Sequence, residues 1–64
     1  MTTITVNTKS NFKNCNGKQL EVVSFCGTIV SAKVPRFGFD ENGNPQGEMI
    51  TADFSINEIT KINN

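Results

Sequence analysis

The 64-residue sequence predicts an all-β domain, a small five-stranded barrel, and three observations carry that prediction. Apolar and polar residues alternate with a period of two along most of the chain, and β-branched residues dominate the alternating stretches. No window long enough for a packed helix shows apolar residues at i, i+3 and i+4. Glycine stands where hairpin turns are required, in Phe25-Cys26-Gly27 and again in Asn42-Gly43.

The first strand is expected over Thr2 to Asn7 and the second over Gln19 to Ser24. Between them Thr8 to Lys18 is rich in Asn, Lys and Ser and contains Asn16-Gly17, the signature of a surface loop. Phe12 is its one large apolar residue, expected to fold back as an anchor. Further strands are expected over Thr28 to about Phe39, over Glu48 to Phe54, and in a short piece around Thr60 to Asn63.

Turn chemistry sets the expected registers. A three-residue loop at Phe25-Cys26-Gly27, with Gly27 left-handed, places Val22 opposite Val30 and Leu20 opposite Ala32. A two-residue turn at Asn42-Gly43 carried back without interruption pairs Ala32 with Asp53, which mismatches the faces. One extra residue near Pro35 or Gly38 pairs Val34 with Ile50, Ala32 with Ala52 and Val30 with Phe54, so a β-bulge is expected there. The resulting inner face is Leu20, Val22, Val30, Ala32, Val34, Ile50, Ala52 and Phe54; Val23, Ile29 and Met49 form a smaller apolar patch on the outer one. A chain this short covers a one-sided sheet most simply by curling it.

After Phe54, Ser55-Ile56-Asn57-Glu58 has the spacing of a capping box, with Phe54 and Ile59 placed to staple across it. Only about one helical turn fits before Thr60-Lys61-Ile62 extends again. A long first loop, and a single helical turn before a short last strand, resemble the Src-homology-3-like barrels. That resemblance covers most of the chain in the order of its elements and bears on fold rather than function. An OB-like small barrel is the alternative.

A second resemblance is local. Gly27-Thr28-Ile29, Arg36-Phe37-Gly38-Phe39 and Phe54-Ser55 are similar to stretches of the cold-shock domain, an OB-fold binder of RNA and single-stranded DNA. With the bulge, Phe37 and Phe39 fall on the same face as Ile50 and are expected to extend the core toward the hairpin end. The resemblance implies instead that both stack on bases, at about 1–3 kcal/mol per base, while Arg36 and Lys33 meet phosphates. The family's tryptophan after the first strand has no counterpart here, and Glu48 to Asp53 contains neither aromatic nor histidine where its second stacking motif belongs.

Composition narrows the chemistry. There is no histidine, so Ser-His and Cys-His nucleophilic machinery is absent, and two cysteines fall short of the four ligands of a closed zinc site. The acidic residues form no acid-base pair by pattern, so no catalytic residue, metal or cofactor is expected. Apolar residues are never contiguous for more than a pair, such as Val22-Val23, against the roughly 20 that a membrane-crossing helix needs. The start MTTITVNTKS has neither a basic front nor an apolar block, so a cytoplasmic location with free thiols is expected. Cys15, flanked by Asn14 and Asn16 with lysines nearby, is expected to be the more reactive thiol, and Cys26 inert or half-exposed in a tight turn.

Net charge is zero but unevenly spread, about +4 over residues 1–36 and −4 over residues 37–64. The expected function is therefore that of a non-enzymatic interaction module over residues 1–64, an adaptor or a phage-type inhibitor. It would contact a protein partner through Phe12, Lys13, Lys33, Arg36, Phe37 and Phe39, and a homodimer would form through the patch of Val23, Ile29 and Met49 or through an open edge strand. Single-stranded nucleic acid bound by Phe37, Phe39, Arg36 and the loop lysines is the alternative.

Overall fold

In the computed structural model, which describes residues 1–64, five antiparallel strands form one sheet: β1 Thr3–Val6, β2 Gln19–Cys26, β3 Ile29–Pro35, β4 Met49–Ser55 and β5 Ile59–Asn63. Their order across the sheet is β4-β3-β2-β1-β5. Single 3-10 turns at Lys13–Cys15 and Ile56–Glu58 are the only helical pieces. No helix is long and apolar enough to cross a membrane.

Strand β2 is shared between two halves of the sheet. Its residues Gln19 to Glu21 pair with β1, whereas Val22 to Cys26 pair with β3. The sheet curls about this strand, so that side chains from β1 (Ile4, Val6), β2 (Leu20), β3 (Val30, Ala32, Val34) and β4 (Ala52, Phe54) meet in one buried cluster with Cys15 of the first loop. A single layer of strands can bury one face only by folding over itself and recruiting a loop as a lid. The outermost strands, β4 and β5, do not pair with each other, so the sheet stays open where a closed barrel was expected.

The alternation predicts the inner face well. Of its eight residues six are buried, and Val22 and Ile50 are half-buried against the cluster. The β3–β4 register pairs Val34 with Ile50, Ala32 with Ala52 and Val30 with Phe54, as expected.

Both turns differ from expectation. The first hairpin closes at Gly27-Thr28, because Cys26 pairs with Ile29 and Gly27 alone takes a left-handed conformation there, with φ of 61°. Val22 therefore faces Ala32 rather than Val30, and a bulge at Val23 restores the faces. At the second hairpin the extra residue lies in the turn itself. The Asp40 N–H donates to Asn44 O and the Gly43 N–H to Asp40 O, each at 3.0 Å, which leaves a three-residue loop ending on Gly43 at φ of 83°. Strand β3 ends at Pro35, four residues short of Phe39, which keeps only an isolated bridge to Pro45. Proline has no donor for the ladder, and the irregular segment after it rejoins without net slippage.

Ser55 and Glu58 form the expected capping box: the Ser55 hydroxyl accepts from Asn57 N–H, and the Glu58 carboxylate accepts from Ser55 N–H at 2.9 Å. Glu58 has a second role that the local pattern does not display. Its other carboxylate oxygen accepts from the hydroxyl of Thr8, itself 3 % exposed, and its carbonyl accepts from Asn7 N–H at 2.7 Å. Asn16 completes this knot by accepting from Thr8 N–H at 2.8 Å and donating to Thr8 O at 3.0 Å. The first loop is thereby tied to the turn before β5.

Candidate functional site

The residues singled out from the sequence lie on two elements, the β3–β4 hairpin and the first loop, and the structure separates their roles. Phe37 and Phe39 do not form one aromatic strip. Phe37 is 69 % exposed, its ring lying across Gly47, where a Cβ would come within 2.8 Å of Cδ2. Phe39 is half-buried against the core, with the Lys18 ammonium 5.7 Å from its ring centre. The shared environment expected for the pair fails because the chain leaves the regular ladder at Pro35, and strict alternation ends with it.

The two candidate basic groups of β3 and the hairpin are neutralised locally. Arg36 and Glu48 form an ion pair across the hairpin, where Arg36 N–H also donates to Glu48 O at 2.8 Å. Lys33 lies 3.5 Å from the Glu21 carboxylate on β2. The hairpin tip is acidic, and Asp40 is committed to the turn, accepting from the N–H groups of Asn42 and Asn44 at 2.9 Å. Strands from the two oppositely charged halves of the chain are neighbours, so part of the apparent polarity cancels on folding.

In the first loop Phe12 folds back, as expected, and meets Phe54 edge-to-face at 6.1 Å and 66°. That contact makes it part of the core rather than a free contact residue. Lys13 is exposed at the start of the first 3-10 turn and has no carboxylate partner, like Lys9 and Lys18.

The thiol expectation is reversed. Cys15 is fully buried beneath the loop, and burial pushes its thiol above the ordinary cysteine range. Cys26 is exposed at the end of β2, which runs two residues further than alternation suggested. A thiol reagent is expected to modify Cys26 in the folded protein and Cys15 only after unfolding; one adduct by intact mass under native conditions checks this.

Sequence reasoning also missed Phe25, placed in a turn but observed in β2, opposite Val30. Although Phe25 shares the inner face it is 54 % exposed, because the hairpin projects past the end of the core. The Val22-Val23 pair, which breaks the alternation, is the sequence signal for the bulge that puts it there. Nor do Val23, Ile29 and Met49 make one patch. Ile29 and Met49 sit at opposite ends of the β3–β4 ladder, six residues or roughly 20 Å apart.

Five of the eight exposed large apolar side chains gather at two ends, Phe25, Ile29 and Ile56 near the first hairpin and Phe37 and Met49 near the second; Met1, Val23 and Ile62 stand apart from both groups. Comparison of the chain with protein-family models, with curated proteins and with solved structures gives no match.

Proposed function

We propose that this chain is a non-enzymatic interaction module that binds a protein partner at the base of the β3–β4 hairpin. Phe37 is its anchor, and Met49 with the Arg36–Glu48 pair forms the surround. One observation carries the reading: the most exposed aromatic ring lies beside Arg36, which is already paired with Glu48. A charge-neutral aromatic surface suits a protein side chain, since interfaces favour Phe, Met and Arg, whereas a phosphate backbone requires uncompensated cations. The strand order, the long first loop and the turn before β5 support a Src-homology-3-like arrangement for the module.

A photo-crosslinking phenylalanine analogue at position 37 tests the proposal in the cell that makes the protein. A discrete protein adduct is expected, competed away by the unmodified protein but not by Phe37→Ala, whose binding is weakened by about 2 kcal/mol or more. In parallel, labelled single-stranded oligonucleotides are titrated at two salt concentrations. Binding that weakens with salt and vanishes in Phe37→Ala would replace the protein partner with nucleic acid.

A further inference from the structure

We infer that two copies of this chain associate through the free edge of β4, in a two-fold symmetric antiparallel pairing centred on Ala52 that extends the sheet from five strands to ten. This edge excludes Phe37 and the Arg36–Glu48 pair and shares only Met49, at its end, with the surface proposed above.

The free edge is a run of main-chain groups without partners. None of the turn or loop main-chain hydrogen bonds engages residues 49–54, so beyond the ladder to β3 this edge is unpaired. Such a row of N–H and C=O groups is a template for another strand unless something guards it. Strand β4 is lightly guarded: Met49–Ser55 contains no proline and no lysine, Asp53 is its one charged residue, and its seven residues pair with β3 in an uninterrupted register.

The opposite edge is different. Strand β5 has five residues, its register against β1 shifts between Thr5 and Val6, and Lys61 stands at its centre. Symmetric pairing of β5 about its middle would set Lys61 against Lys61, which repels. Edge lysines and irregular registers are common protections against unwanted pairing, so β5 is better defended than β4.

The sequence of β4 selects the register. Pairing centred on Ala52 places Ile50 opposite Phe54 and Ala52 opposite Ala52 on the inner face, with Met49 opposite Ser55 and Thr51 opposite Asp53 on the outer face. Apolar meets apolar, and the hydroxyl of Thr51 can donate to the carboxylate of Asp53 in the second copy. Centring on Asp53 would oppose two carboxylates, and centring on Thr51 would set Glu48 against Phe54. A register offset by a single residue would mix the faces throughout. A two-fold arrangement also closes on itself, which limits growth beyond two copies.

Sedimentation equilibrium over a concentration series tests this. The protein as it exists is expected to dimerise. Thr51→Asp opposes like charges twice across the axis and is expected to weaken the dimer by roughly tenfold. Thr51→Lys opposes Asp53 with a cation and is expected to tighten it. Thr51 is exposed but stands opposite Lys33 on β3, so circular dichroism and a denaturant midpoint are measured on both variants to separate association from folding. Lys61→Asp, on the other edge, is expected to leave association unchanged. A monomer at every accessible concentration, an equal response to Asp and Lys at position 51, or a dimer weakened by Lys61→Asp would each overturn the inference.

Discussion

Phe54→Ala is expected to leave most of the protein unfolded at room temperature. Phe54 is the bulkiest of the fully buried side chains; it faces Val30 across the β3–β4 ladder and receives the edge-to-face contact of Phe12. Truncating a buried phenylalanine costs about 3–5 kcal/mol, through lost transfer free energy and the cavity left behind. A chain of this length is held by about 3–10 kcal/mol in total, so one truncation removes most of the margin. The same change releases Phe12 and with it the loop over Cys15, so unfolding should be cooperative rather than local. Collapse of amide dispersion in the NMR spectrum, with Phe54→Leu keeping a native-like one, is the expected result. A well-dispersed Phe54→Ala spectrum would show that the curled sheet is held by something other than this cluster.

Removal of the Glu58 carboxylate has the next largest expected effect. Glu58→Ala deletes two hydrogen bonds to a charged group at once, from the Thr8 hydroxyl and from the Ser55 N–H, and leaves the buried Thr8 hydroxyl with only Ser10 Oγ, at 3.1 Å, as an acceptor. Hydrogen bonds to a charged group contribute about 1.5–3 kcal/mol, so a loss in that range is expected, read as a lower denaturant midpoint. The pH dependence has a definite sign. Donation from Thr8, and secondarily from the Ser55 N–H, holds the Glu58 carboxyl below the ordinary glutamate range. Protons therefore bind the unfolded chain more readily than the folded one. The stabilisation is complete at neutral pH, begins to fall as pH drops into the ordinary glutamate range, and is gone below the depressed folded value. Glu58→Gln, an uncharged isostere, should differ most from the wild type near pH 7 and converge with it in acid. A stability gap between the two that is constant from pH 7 to pH 3 would contradict this account.

How far the fold was legible depended on which interactions are local. Alternation across Leu20, Val30, Ala32, Val34, Ala52 and Phe54 reports a buried face directly, because side chains on a strand point alternately to opposite sides. The capping box at Ser55 to Glu58 was equally legible, since both partners lie within one turn of chain. Hairpin closure was less so. A glycine marks a turn, yet Gly27 and Gly43 serve loops of different length than their neighbours suggested, and the compensating bulge at Val23 is chosen by packing across β2 and β3. The candidate site was legible only as a set of residue types. Arg36 and Lys33 read as free cations along the chain, and only the strand pairing revealed that Glu48 and Glu21 stand beside them.

The linear order of residues by itself determined the all-β character, the inner face, the absence of histidine chemistry and the helical turn before the last strand, because each follows from spacing along the chain or from composition. Tertiary structure alone decided that Cys15 is sealed while Cys26 is open, that Phe39 sinks as Phe37 projects, that Glu58 clasps Thr8 fifty residues away, and that β4 has a neighbour on one edge only. Burial and strand adjacency are properties of segments brought together from distant parts of the chain, and no local pattern of side chains encodes which segments will meet.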